Sequence, residues 1–107
     1  MKANNIFSNL IDFKDETFET LLESKNLKIE RIVSDAHVSP KDFWYDQEED
    51  EWVIVLQGGA VVGFDNKESA NLGVGDYLHI KTHQKHRVEW TSEKEKTVWL
   101  AIHIKIL

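Results

Sequence analysis

From residue 27 onward the sequence is a series of short apolar runs separated by turn-forming residues, and this pattern restricts the fold more than any other feature. The runs are rich in Val, Ile, Trp and Thr, which are typical of strands. Gly, Asn and Asp occupy the segments between them, where tight turns need them. The spacing predicts an all-β sandwich or barrel. The runs are LKIERIVSDAHV, EWVIVLQ, AVVGF, YLHI, HRVEWT and TVWLAIHIKIL.

A short helix is predicted before these runs, in the segment DETFETLLESK at residues 15–25. Asp15 can cap its N-terminus, and Phe18, Leu21 and Leu22 have the i, i+3 and i+4 spacing of one helical face. We therefore expect a helix that packs on the β-structure through this face.

The length of 107 residues suits one compact core and is too short for two. We expect an N-terminal segment, residues 1–26, that carries the helix, followed by a β-barrel over residues 27–107. The longest apolar run, WVIVL, is far too short to cross a bilayer, so no membrane association is expected. The first residues lack the apolar region of a signal peptide, which predicts a cytoplasmic protein.

The composition excludes several classes of function. The formal net charge is −6, with 13 Lys and Arg among 19 Asp and Glu, so no basic face is expected and nucleic-acid binding is disfavoured. The chain has no Cys, which leaves His, carboxylates and amides as metal ligands. No phosphate-binding glycine loop or nucleophile elbow is present. A small-molecule ligand is the expected partner.

The segment KTHQKHRVEW contains His83 and His86 three positions apart. In a strand such positions point to opposite faces, so at most one of them faces the interior. His86, which leads into the apolar run, is the better candidate, and His83 belongs to the turn. In the last run His103 shares a mixed polar and apolar face with Trp99, which suits either a hydrogen-bonded core residue or the wall of a pocket.

Glu51 opens the run EWVIVLQ, in which both alternating faces are apolar. Such a strand is covered on both sides. A carboxylate that enters a covered sheet needs a cation, a metal or several hydrogen-bond donors. Glu51 is therefore a candidate functional residue, whereas the neighbouring acidic residues suit a solvated turn.

Residues 39–90 resemble the two-motif signature of the cupin superfamily. The first motif has a glycine, two histidines, a glutamate and a closing glycine, and the second has a glycine, a proline, a glycine, a histidine and an asparagine. Glu51, Gly58, Gly75 and His86 match in residue type. The other motif positions carry Ser39, Tyr45, Gln47, Lys81, His83 and Trp90.

The resemblance to small single-domain bacterial cupins implies a double-stranded β-helix, the jelly-roll cupin barrel, here with a short N-terminal helix. It also implies one divalent metal, Fe, Zn, Ni, Cu or Mn, in the barrel mouth, and a homodimer. Tyr45 and Gln47 stand where the family has two histidine ligands, and an amide oxygen is a weaker donor than imidazole for late transition metals. The resemblance therefore implies Glu51 and His86 as metal ligands, and we expect Gln47 to complete the site because this needs the least rearrangement. The alternatives are His37 or His103 from a neighbouring strand, or His83 from the turn.

Besides a structural or interaction role, with self-association through sheet faces or edges, two ligand-binding functions remain open at this point. One is a protein that binds a metal and a small organic molecule, and that works as an oxygenase, isomerase or lyase. The other is a metal-free binding module with a degenerate metal site. The side chains expected around the pocket in either case are His37, Trp44, Tyr45, His83, Trp90 and His103.

Overall fold

The computed structural model describes residues 1–10 and 15–105, and these form two antiparallel β-sheets. The predicted all-β class and double-sheet architecture are confirmed. Every described residue in regular secondary structure belongs to a strand. The strands are β1 (Glu16–Glu23), β2 (Leu27–Ser34), β3 (Asp50–Gln57), β4 (Ala60–Phe64), β5 (Ser69–Leu72), β6 (Tyr77–Ile80), β7 (His86–Thr91) and β8 (Thr97–Ile104).

One sheet has five strands in the order β1-β2-β8-β3-β6, and the other has three in the order β5-β4-β7. The segment before β3 extends the smaller sheet, because Tyr45 forms an antiparallel bridge with His86 at the start of β7. Ser39 strengthens this attachment, since its N–H donates to the Val88 carbonyl at 2.9 Å and its hydroxyl accepts from the Val88 N–H at 2.9 Å. The segment 39–45 therefore lies along β7.

The core lies between the two sheets and follows the two-residue alternation of the strands. On β3, Val53 and Val55 point inward, opposite Ala101 and Trp99 of β8, and all four are buried. Apolar side chains of the smaller sheet cover them. The buried core consists of Ile32, Val53, Val55, Ala60, Val62, Leu72, Ile80, Val88, Trp99 and Ala101.

The predicted helix at residues 15–25 is wrong, because residues 16–23 form the edge strand β1. It pairs with residues 28–34 of β2, with an irregularity between Thr20 and Leu22. The side chains expected to form the buried helical face stay largely exposed, with 52% of Phe18 and 54% of Leu22 accessible to solvent. Backbone pairing with a neighbouring strand has outweighed a weak local preference for helix.

The proposed division at residue 26 stays a prediction, although β1 belongs to the same sheet as the strands that follow it. Among the residues that the structure describes, no helix is long and apolar enough to cross a membrane.

The turn between β3 and β4 depends on Gly58, whose φ of +83° is costly for a residue with a Cβ atom. A methyl group there would also lie 2.8 Å from Cα of Thr97. Thr97 cannot easily move, because its buried hydroxyl donates to the Gly59 carbonyl at 3.0 Å and accepts from the Gly59 N–H at 3.2 Å. The turn thus holds the larger sheet against the smaller one.

We predict that Gly58→Ala destabilises the protein by the backbone cost of about 1–2 kcal/mol and by a further steric cost of about 1–3 kcal/mol. Gly75→Ala is the matched control, because Gly75 has a φ of +89° but nothing within 4 Å of an added methyl group. Urea unfolding of both variants separates the two costs. Equal losses of stability would show that the contact with Thr97 is easily relieved.

Candidate functional site

A cavity with a volume of about 70 Å³ opens between the two sheets. Its wall combines apolar core side chains with a concentration of ionisable groups. Apolar pockets with a few convergent polar groups are typical small-molecule sites. The lining residues are Glu16, Phe18, Glu30, Ile32, Tyr45, Gln47, Glu51, Val53, Val62, Ile80, His86, Val88, Trp99 and His103.

Glu51 points into this cavity from the start of β3. In the pleated sheet it lies opposite His103 of β8 on one side and Ile80 of β6 on the other. His86 approaches from the facing sheet, and its Nε2 atom lies 3.6 Å from Glu51 Oε1. Both side chains are about nine-tenths buried. The two sheets therefore bring a carboxylate and an imidazole together, and His86 faces the interior as predicted.

The contact made by Nδ1 of His86 determines which ring nitrogen carries the hydrogen. Nδ1 lies 2.9 Å from the backbone carbonyl oxygen of Gln84, and a carbonyl can only accept, so Nδ1 carries the hydrogen. In the neutral ring Nε2 then presents a lone pair toward the Glu51 carboxylate. A backbone carbonyl that orients an imidazole in this way is a common arrangement around metal-binding histidines.

Gln47 borders the same cavity from the segment before β3. Its backbone carbonyl accepts a hydrogen bond from the His83 N–H at 2.8 Å, which fixes the chain at this point. Its side-chain Oε1 is buried and has no hydrogen-bond partner among the described residues. An unsatisfied buried oxygen is costly, and native structures usually provide a partner for it. The Gln47 side-chain oxygen can thus accept a hydrogen bond from a bound molecule or bind a metal ion.

Tyr45 lies between His86 and the edge strand β1. Its ring stacks on the His86 imidazole with a centroid distance of 5.4 Å and an angle of 23°. Its hydroxyl donates to Glu16 Oε1 at 3.2 Å. Burial, and then the negative charge of Glu16, raise the pKa of Tyr45 well above its usual value. Tyr45 therefore stays protonated near neutral pH and acts as a hydrogen-bond donor.

Two lining glutamates were not singled out from the sequence. Glu30 of β2 accepts a hydrogen bond from His103 Nε2 at 2.8 Å, so His103 is both a hydrogen-bonded residue and part of the cavity wall. Glu16 of β1 lies in the segment for which a helix was predicted. If residues 16–22 are taken as a strand, Glu16 and Phe18 lie on the same face. This two-residue alternation is the sequence signal that would have placed Glu16 in the cavity wall.

The other predicted pocket residues are distributed unevenly. His37 Nε2 lies 3.4 Å from Glu16 Oε1, behind the cavity wall. Trp44, His83 and Trp90 do not belong to the wall that the described residues form. His83 has a φ of +59° in an exposed turn and pairs with Asp46 at 2.6 Å, which agrees with the turn position predicted for it.

Comparison with known proteins identifies the fold. The model of the cupin domain family matches residues 35–103. The crystal structure of a candidate mannose-6-phosphate isomerase from Ralstonia eutropha JMP134 is 44% identical, with the match covering 99% of this chain and 100% of that chain, and has a TM-score of 0.93. No curated protein matches the sequence.

More distant structures share the architecture. A cupin superfamily protein from Desulfitobacterium hafniense DCB-2 is 19% identical, with the match covering 99% of this chain and 94% of that chain, and has a TM-score of 0.77. The iron(II) form of HppE is 14% identical over 84% of this chain and 50% of its own, with a TM-score of 0.72. At these identities the likeness shows the fold alone.

We predict that replacing Glu16 by Gln changes how stability depends on pH. Burial raises the pKa of Glu16 above its ordinary value of 4.5, although His37, Ser34 and Tyr45 act in the opposite direction. The folded protein therefore holds this proton more tightly than the unfolded chain. The associated stability is present below the unfolded pKa and is lost as pH rises through the folded pKa.

Wild-type protein should accordingly lose stability relative to Glu16→Gln between about pH 4.5 and about pH 7, as measured by urea unfolding at both values. Glu23→Gln, an exposed change on the same strand, is the control and should follow the wild type. A constant difference between wild type and Glu16→Gln at the two pH values would contradict the prediction.

Proposed function

Because the chain belongs to the cupin family, we propose that it binds one divalent metal ion and a small organic molecule in the barrel mouth, and that it is a metal-dependent enzyme of the oxygenase, isomerase or lyase type. The observation that carries the proposal is the buried Gln47 carbonyl, which has no partner among the described residues and borders the same cavity as Glu51 and His86. These three side chains are the proposed ligands.

The donor set fits a divalent ion. It combines one imidazole nitrogen, one carboxylate and one amide oxygen, a mixture that suits Fe, Mn, Zn, Ni or Cu. The His86 ring is held by the Gln84 carbonyl so that Nε2 faces Glu51 Oε1 at 3.6 Å. A cation between these atoms would remove the repulsion between a lone pair and a carboxylate, and would satisfy Gln47 Oε1.

Three protein ligands leave coordination positions open, and a bound metal would supply Lewis acidity or activate a water molecule or dioxygen there. The protein's own residues prepare the remainder of the site. Tyr45, held by stacking on His86, presents a hydroxyl group at the cavity wall. The buried apolar side chains opposite exclude water and position the carbon skeleton of the bound molecule.

The Ralstonia eutropha protein, at 44% identity, directs the choice of substrate toward sugars and sugar phosphates. The iron(II) form of HppE has the same fold and makes iron one of the metals to test first. Fold alone does not select a reaction, so the proposal rests on the side chains around the cavity.

A metal-free binding module is the second candidate function. The observation in its favour is that no group of three or more His, Cys, Asp or Glu suited to a metal occurs in the part of the chain that the structure describes. In this alternative a protonated His86 pairs directly with Glu51, and the Gln47 carbonyl accepts a hydrogen bond from the ligand.

The metal content of tag-free protein, purified without chelator and measured by elemental mass spectrometry, decides between the two. We expect close to one divalent ion per chain. Metal well below this ratio, and not restored by adding Fe, Mn, Zn, Ni or Cu, would exclude the metal site and leave the binding module.

We predict that Glu51→Gln and His86→Ala each weaken the binding of a divalent metal by at least about a hundredfold, because each removes a ligand from a set of three. Isothermal titration of the metal-free proteins measures this change. His83→Ala is the matched control, since His83 is an exposed turn histidine outside the cavity wall. An affinity unchanged in both cavity variants would show that the ion binds elsewhere.

We predict the opposite effect for Gln47→His. Imidazole is a better donor than an amide oxygen for zinc and nickel, so the variant should bind these ions at least about tenfold more tightly than the wild type. The gain should be smaller for manganese, which prefers oxygen ligands. Equal or weaker binding of zinc would mean that residue 47 does not reach the metal.

A further inference from the structure

A second group of ionisable side chains lies on the other side of Tyr45 from His86. Glu16 Oε1 lies 3.2 Å from the Tyr45 hydroxyl and 3.4 Å from Nε2 of His37. His37 Nδ1 lies 2.6 Å from Oδ1 of Asp15. Glu16 Oε2 accepts a hydrogen bond from the Ser34 hydroxyl at 2.9 Å. These contacts form a continuous chain of polar groups, which we call the Glu16 relay: Asp15, His37, Glu16 and Tyr45.

The 3.4 Å contact between Nε2 of His37 and Oε1 of Glu16 requires a proton on one of these two groups. An ionised Asp15 carboxylate only accepts hydrogen bonds, so the hydrogen on His37 Nδ1 points toward it. If the ring is neutral, Nε2 presents a lone pair to Glu16 Oε1, which is favourable only when the carboxyl group is protonated. If the ring is charged, Nε2 donates to the carboxylate. In both states one proton is held between the imidazole and the carboxyl group.

The relay connects the cavity with solvent. At its inner end, Glu16 belongs to the cavity wall and only 7% of its side chain is exposed. At its outer end, 77% of the Asp15 side chain is exposed. His37, with 10% of its side chain exposed, lies between them. A proton taken up at the cavity wall can therefore pass to water without crossing the cavity.

The relay is separate from the proposed metal ligands. Glu16 lies on edge strand β1, outside the residues 35–103 that match the cupin family model. Tyr45 stands between the two groups, with its ring on His86 and its hydroxyl on Glu16. Tyr45 occupies the position at which the family has a metal-binding histidine. It thus connects the proposed metal ligands to the Glu16 relay.

We propose that Glu16 is the proton-transfer residue of this pocket and that its substrates are sugars with a free carbonyl group. This inference rests on the proposed function, because it assumes that the cavity binds an organic molecule. The wall has three glutamates and, among the described lining residues, no Lys or Arg that would hold a phosphate. The carbonyl end of the sugar, rather than a phosphate group, therefore faces Glu16.

The reaction is a proton transfer next to a carbonyl group. The Glu16 carboxylate takes the proton from C2 of an open-chain aldose, the C2–H electron pair forms a C1=C2 double bond, and the carbonyl π electrons move to O1. Return of the proton to C2 restores an aldose. Return to C1, with transfer of the O2 hydroxyl proton to O1, gives the ketose. No oxidant or reductant is consumed, and the relay exchanges the proton on Glu16 with water.

The first test follows Glu16 without any substrate. The Trp99 indole N–H donates to Ser34 Oγ at 3.0 Å, and the Ser34 hydroxyl donates to Glu16, so the Trp99 indole resonance senses the charge of Glu16. Four Trp residues give four indole signals, and Trp99→Phe identifies the relevant one.

We expect a pH titration of the Trp99 signal, displaced upward from the ordinary carboxyl range, in the wild type and in Glu23→Gln. It should be absent in Glu16→Gln. His37, Asp15 and Tyr45 are the ionisable groups that act on Glu16, and a step that persists in Glu16→Gln would assign the titration to one of them. That result would overturn the proposal.

The second test measures proton transfer in deuterium oxide. Metal-loaded protein is incubated with mannose or with mannose 6-phosphate, and deuterium at C1 and C2 is followed by NMR. Wild type and Glu23→Gln should incorporate deuterium at the same rate. Glu16→Gln, which keeps a hydrogen-bond acceptor for Tyr45, should be at least about a hundredfold slower with an unchanged metal content.

Asp15→Asn provides a second variant that leaves Glu16 in place. Breaking the outer end of the relay should slow exchange of the Glu16 proton with water, so more of the product should retain the original hydrogen. Unchanged deuterium incorporation in Glu16→Gln would overturn the role of Glu16, and unchanged incorporation in Asp15→Asn would overturn the role of the relay. An absence of incorporation in the wild type with both sugars would overturn the substrate class, whereas wild-type protein that takes up no metal would count against the proposed function.

Discussion

The structure must accommodate carboxylates that are buried inside a small apolar barrel, and this constraint determines what surrounds them. Three glutamates point inward from the five-stranded sheet, and an isolated buried carboxylate would cost several kcal/mol. Each is instead placed within 4 Å of an imidazole, so that a proton or a metal ion can compensate its charge. This requirement explains why three of the five histidines lie at or behind the cavity. The pairs are Glu16 with His37 at 3.4 Å, Glu30 with His103 at 2.8 Å and Glu51 with His86 at 3.6 Å.

Most of the fold could be predicted from the sequence because alternation along a strand is a local property. The face of β8 that borders the cavity, with His103 among apolar neighbours, was visible in the pattern. The pattern of β3 is apolar on both faces and did not show that Val53 and Val55 point inward. The segment at residues 16–23 was not assigned correctly, because Phe18, Leu21 and Leu22 fit one helical face as well as an irregular strand. What decides its structure is pairing with β2, which brings Phe18 opposite Ile32. Such pairing cannot be inferred from local spacing.

The candidate site was predictable only in part, for a related reason. Glu51 and His86 occupy positions of a known motif, so the resemblance identified them and the structure places both at one cavity. The wall from β1 and β2 depends instead on the register between these two strands and on the approach of Tyr45 from the segment before β3. Glu16 aligns with Ser34 across that register and so comes within reach of Tyr45. No spacing within one segment encodes this contact.

The location of Glu16 and Phe18 on an edge strand has a consequence for how the cavity opens. β1 is paired on one side only, and its apolar side chains are half exposed, so it is held less strongly than the central strands. Local unfolding of this strand would remove one wall of the cavity while the two sheets stay packed around Val55 and Trp99. Entry of a bulky molecule and loss of the Glu16 contacts would then be the same event. Opening of the edge strand β1 would thus expose the cavity from the side and move Glu16 away from it.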